Sequence, residues 1–75
     1  MSQSTTINMI EFADKMLNVD VSEHVYQYIE CRLVEGGITI EQGVDIARMA
    51  CILGLNHSDD FDERYKDLFD IASSD

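Results

Sequence analysis

The strongest constraint on the fold is a helix stop set directly against a helix start. Gly36-Gly37 follows an apolar-periodic segment, and Thr39-Ile40-Glu41-Gln42 opens the next one. Glycine takes the left-handed backbone of a helix C-cap without steric cost. Thr39 and Gln42 match the capping box, in which the threonine hydroxyl and the glutamine amide reciprocally satisfy two orphan backbone groups. A chain of 75 residues interrupted this way near its middle is expected to form short helices folded back on one another.

The remaining pattern agrees with that expectation. Ile7, Ile10, Ala13, Met16 and Leu17 recur at helical spacing and predict a first helix over about 7–18, after a Ser/Thr-rich lead-in at 1–6 expected to be disordered. Asp20 or Ser22 is placed to cap a second helix over about 23–35, whose stripe is Val25, Tyr26, Ile29 and Leu33. The third helix, about 40–53, carries Ile40, Val44, Ile46, Ala47, Ala50, Cys51 and Leu53. So wide an apolar arc marks a helix covered on more than one side, and Gly54 is its expected cap. Ser58 or Asp59 is expected to start a fourth helix with the stripe Phe61, Tyr65, Leu68 and Ala72, leaving 73–75 as a loose tail. No stretch alternates as a strand does, and proline is absent. The expected fold class is therefore all-α, a compact single-domain array of about four short helices over residues 7–72.

Charge narrows the function. Fifteen Asp and Glu against five Lys and Arg give a formal charge of −10. Direct contact with nucleic acid or anionic lipid calls for cations that neutralise phosphate, so neither is an expected partner. A protein with a basic surface is. No apolar run approaches the length of a membrane span and no signal-peptide pattern opens the chain, so a cytoplasmic location is expected. Cys31 and Cys51 are expected as reduced, helix-borne core residues, because two isolated cysteines make no disulfide framework.

Sites of chemistry are hard to assemble. Catalysis by a Cys-His pair would need Cys31 or Cys51 beside His24 or His57, but both cysteines fall in apolar helical stretches where a thiolate is disfavoured. The same four residues lack the paired spacing of zinc ligands. Asn56 to Asp62 is rich in oxygen ligands, yet it lacks the glycine at the sixth loop position and the bidentate glutamate of a calcium loop; helix capping accounts for it more simply. No metal, no cofactor and no enzymatic activity are expected.

Two family resemblances stop at their key residues. Ala50-x-x-x-Gly54 resembles the turn of a helix-turn-helix unit, but the helix that would read DNA begins Asp59-Asp60-Phe61-Asp62-Glu63 and would be repelled. Size, acidity and helix count are similar to those of acyl carrier proteins. The Asp-Ser-Leu motif that carries their prosthetic group is missing, since Ser22 stands in Asp20-Val21-Ser22-Glu23.

The feature left is the distribution of carboxylates. Asp59, Asp60, Asp62, Glu63, Asp67 and Asp70 place six of the 15 acids in twelve residues, with neighbours at i, i+3 and i+4 about 5–6 Å apart along the helix. Rows of charge on this scale can occupy a basic groove built for nucleic acid, although a merely solvated face, partly balanced by Arg64 and Lys66, would carry the same residues. In size, charge and lack of a catalytic set the chain resembles small DNA-mimic and anti-defence proteins of bacterial viruses. That resemblance implies an inhibitor or modulator docked on a nucleic-acid-binding protein. The alternative is a structural or adaptor protein, as a single chain or a homodimer, acting through apolar surface that includes Tyr26, Tyr28, Met49 and Ile52.

Overall fold

The computed structural model describes the backbone of residues 2–74 and the side chains of residues 9–74. Among these residues four helices follow one another with short connections: α1 (Ser2–Lys15), α2 (Glu23–Glu35), α3 (Ile40–Leu53) and α4 (Phe61–Ser73). The all-α, single-domain expectation is met. The whole spans 34 × 24 × 19 Å.

Local chemistry sets most of the boundaries. Ser22 caps α2, its Oγ accepting from the Val25 N–H at 3.2 Å. At α3 the capping box closes in both directions: the Gln42 N–H donates to Thr39 Oγ1 at 3.1 Å, and the Thr39 N–H donates to Gln42 Oε1 at 2.9 Å. Gly36 and Gly54 end α2 and α3 in left-handed conformations, φ +82° and +77°. At each, the glycine N–H and the following N–H return to carbonyls in the last turn.

Two boundaries differ from expectation. Helix α1 takes in Ser2–Thr6, assigned above to the lead-in, and stops at Lys15 rather than near Asn18. Its last turn tightens to i→i−3 bonds, Leu17 to Asp14 and Val19 to Met16, which turns the chain so that Val19 and Val21 pack on the core. Helix α4 begins at Phe61, not at Ser58 or Asp59. Ser58 instead folds into a turn, its Oγ accepting from the Asp60 N–H at 3.0 Å, and Asp60 holds the cap position without a side-chain cap bond. At the other end α4 continues to Ser73 and the Ser74 N–H returns to the Ile71 carbonyl, so the tail expected to be loose is bonded that far. Met1 and Asp75 lie outside the described residues.

Helices α2 and α3 each pack against all three others, whereas among the described residues α1 and α4 make no contact with each other. The core joins Val25 and Ile29 of α2, Val44, Ile46, Ala47 and Ala50 of α3, and Phe61, Tyr65 and Leu68 of α4, the last three being the stripe read from the sequence. Helix α1 corrects the reading. Phe12, and Met16 in the turn after the helix as expected, face inward, while Ile10, Ala13 and Leu17 are exposed; the Ile7 side chain lies outside the described residues. A helix with apolar residues on two faces has no local means of choosing between them; the packing against α2 and α3 makes the choice. Gly43 lets the three helices meet closely, since a Cβ there would stand 3.1 Å from Ile29 Cγ2 and 3.3 Å from Phe12 Cε1.

The cysteines also need correcting. Cys31 is exposed, because it lies about 200° around α2 from Ile29 and so faces away from the core. Cys51 is half-buried, its thiol directed at the Asp20 carbonyl at 3.3 Å.

Candidate functional site: the acidic face of helix four

Folding draws the connection before α2 against the connection before α4. The Ser22 N–H donates to the Asn56 carbonyl at 2.8 Å, and Asn56 Nδ2 donates to the Asp20 carbonyl at 2.6 Å. His57 Nε2 stands 3.0 Å from Asp20 Oδ1, and His24 Nε2 stands 2.7 Å from Asp62 Oδ1. These four links hold the first turns of α2 and α4 at one end of the molecule, which anchors the start of the acidic helix. None of them was legible in the sequence, where the partners stand 34 to 38 positions apart.

All six carboxylates singled out above are exposed. The structure sorts them into three groups. Glu63, Asp67 and Asp70 stand at i, i+4 and i+7 and form one row along the side of α4 opposite the Phe61–Tyr65–Leu68 stripe. Asp59 and Asp60 occupy the turn at the head of the helix, near the positive end of its dipole, where negative charge is favoured. Asp62 belongs to the first turn as well, but its carboxylate is engaged by His24 and stands off the row. Of the two cations expected to offset this face, Arg64 reaches Asp67 at 3.8 Å, and Lys66 forms no ion pair among the described residues. Two bases against six acids leave residues 59–70 strongly negative.

The apolar candidates behave differently. Tyr26 is half-buried with its ring 5.2 Å from that of Phe12. Tyr28 is half-buried between the rings of Phe61 and Tyr65, with the Arg32 guanidinium 5.3 Å from its centroid. Met49 packs at the edge of the core. Ile52 is the one of the four that is broadly displayed, at 81% exposure.

Other aliphatic side chains take the displayed role that the tyrosines and Met49 do not. Ile10, Leu17, Val34, Leu53 and Ile71 are all more than half exposed. Leu53 and Ile71 are of particular interest because they flank the acidic face: with Leu55 and Leu68 they line a groove that has Arg64 and Asp67 at its rim. The only sequence signal for Ile71 was its position beside the α4 stripe rather than on it.

Among the described residues no group of three or more His, Cys, Asp or Glu is arranged to hold a metal ion. No described helix is long and apolar enough to cross a membrane. No family model, no curated protein and no solved structure matches the chain. The site's own chemistry is that of a helical display of exposed carboxylates with an apolar groove beside it.

Proposed function

We propose that this protein is a non-catalytic binding module that docks the acidic face of α4 onto the basic surface of a nucleic-acid-binding protein, as an inhibitor or modulator. The observation that carries the reading is the Glu63–Asp67–Asp70 row, exposed on a helix whose opposite face is buried in the core. A row held on a packed helix loses little conformational freedom on binding, and its field steers a basic partner toward it. The same arrangement repels DNA, RNA and anionic lipid, so the partner is a protein that itself binds such polyanions. This is the mode of action of a DNA mimic, and an anti-defence role in a bacterial virus is the setting in which so small an acidic inhibitor would serve.

The experiment is a tagged pull-down from bacterial lysate at low and high salt, with and without competing duplex DNA, run beside the variant Glu63→Lys/Asp67→Lys/Asp70→Lys. The expected result is a nucleic-acid-binding protein retained by the native chain, displaced by DNA or salt, and lost in the variant while helicity by circular dichroism is unchanged. Retention that survives charge reversal would sink the proposal.

A second reading rests on α1. Ile10 and Ala13 of α1 and Leu17 in the turn that follows it are turned away from the core, with Ile10 66% and Leu17 77% exposed. An apolar stripe of this kind is what a structural or adaptor protein would pair with a second copy of itself. Sedimentation equilibrium separates the readings: a dimer indifferent to salt and abolished by Leu17→Glu supports this one, and a monomer at all concentrations removes it.

A further inference from the structure

The groove beside the acidic row bears on the kind of segment the partner presents, and the argument rests on the acidic-face reading above. Leu53 at the end of α3, Leu55 in the turn that follows, and Leu68 and Ile71 of α4, with Arg64 and Asp67, line a half-open groove of about 260 Å³. Leu53 and Ile71 are left 59% and 58% exposed around it. Removing exposed aliphatic surface from water is favourable, so two such side chains facing one concavity form a surface that gains from being filled. The volume falls short of the ~300 Å³ at which small-molecule sites begin and suits one inserted side chain.

Charge selects what is inserted. Asp67 belongs at once to the rim of the groove and to the acid row, with Glu63 one turn before it and Asp70 one turn after. An apolar side chain seated between Leu53 and Ile71 therefore brings its own neighbours within reach of three carboxylates. A second copy of this chain is disfavoured, because it would set acidic surface against acidic surface, and a lipid headgroup carrying phosphate meets the same repulsion. We infer that the groove and the acid row form one composite docking site for a basic amphipathic helix of another protein, which inserts a Leu, Ile or Met side chain between Leu53 and Ile71 and places Lys or Arg on Glu63, Asp67 and Asp70. Apolar anchors at helical spacing with charged flanks are the general currency of helix-in-groove recognition. Arg64 works against such a ligand, since its guanidinium stands at the rim, 3.8 Å from Asp67.

The test uses the unaltered full chain, isotopically labelled, and two synthetic helical peptides of equal charge: one with leucine and lysine at helical spacing, the other with each leucine replaced by serine. Calorimetry gives affinity and amide chemical shifts give location. The leucine peptide is expected to bind at least about tenfold more tightly, the equivalent of one well-buried aliphatic side chain, with shifts centred on Leu53, Leu55, Leu68 and Ile71. Ile71→Glu, a change at an exposed position, is expected to erase that preference, and Arg64→Gln is expected to tighten both peptides a few-fold. Equal affinity for the two peptides, lost together as salt rises, would overturn the composite site and leave the purely electrostatic reading of α4 standing. Binding of the leucine peptide on the Ile10–Leu17 face would also overturn it. Failure of both peptides to bind at low salt would overturn the composite site and the acidic-face reading together.

Discussion

His24 Nε2 lies 2.7 Å from Asp62 Oδ1 and ties the first turn of α2 to the first turn of α4. The pair spans 38 positions of sequence and closes, with the His57–Asp20 contact, the end of the molecule from which the acidic helix projects. Both partners remain about half exposed, 55% and 44% at the side chain, so solvent screens the attraction. A double-mutant cycle on His24→Ala and Asp62→Asn should give a coupling of about 0.2–1 kcal/mol. A coupling several times larger would contradict this account of the link.

Tyr65 is buried, yet its hydroxyl has no hydrogen-bond partner among the described residues. An unsatisfied buried hydroxyl costs stability that its removal restores, while the ring contacts with Tyr28 and Phe69 survive in phenylalanine. Tyr65→Phe should therefore raise stability at neutral pH by about 1 kcal/mol, measured by urea unfolding.

The same side chain predicts an alkaline limb. Burial pushes the Tyr65 phenol above its ordinary value of 10.0, against a smaller lowering by Arg32, and burial raises Tyr26 as well, with Glu30 adding to it. A raised phenol keeps its proton in the folded chain where the unfolded chain has lost it. Its contribution is whole below pH 10.0 and is lost as pH rises from there through the folded value. Unfolding free energy should fall across that window, and the fall should be shallower in Tyr65→Phe and shallower again with Tyr26→Phe added.

At Gly43 two effects oppose each other. Alanine in a helix interior gains up to about 1 kcal/mol over glycine, but here the new methyl would press on Ile29 at 3.1 Å and on Phe12 at 3.3 Å, both of them fully buried. Overpacking of a fixed core costs about 1–3 kcal/mol, so Gly43→Ala should be destabilising by about 1 kcal/mol net. The same change at the exposed Gly37, where the nearest atom to a new Cβ is 3.7 Å away, should have a smaller effect. Thermal or urea melts of the two variants side by side decide the point.

Thr39 offers a local control. Its hydroxyl accepts from the Gln42 N–H while Gln42 answers on the Thr39 N–H. Thr39→Ala should cost about 1 kcal/mol by leaving the first turn of α3 uncapped, with no change in peptide or partner binding, since the cap lies at the opposite end of α3 from Leu53.

These residues also divide what was legible from what was not. The caps at Ser22, Thr39, Gly36 and Gly54, and the Phe61–Tyr65–Leu68 stripe, could be read along the chain because each depends on residues within a few positions of one another. The acidity of α4 and of the turn before it could be read for the same reason, as six carboxylates in twelve residues. Tertiary structure alone decided that Phe12 rather than Ile10 and Leu17 enters the core, that Cys31 faces outward, and that His24 meets Asp62. It alone set Leu53 beside Ile71 across the α3–α4 turn. Capping and helical periodicity are short-range and act through the backbone's own hydrogen bonds. Burial, and the choice between two apolar faces of one helix, depend on which other helices arrive to cover them.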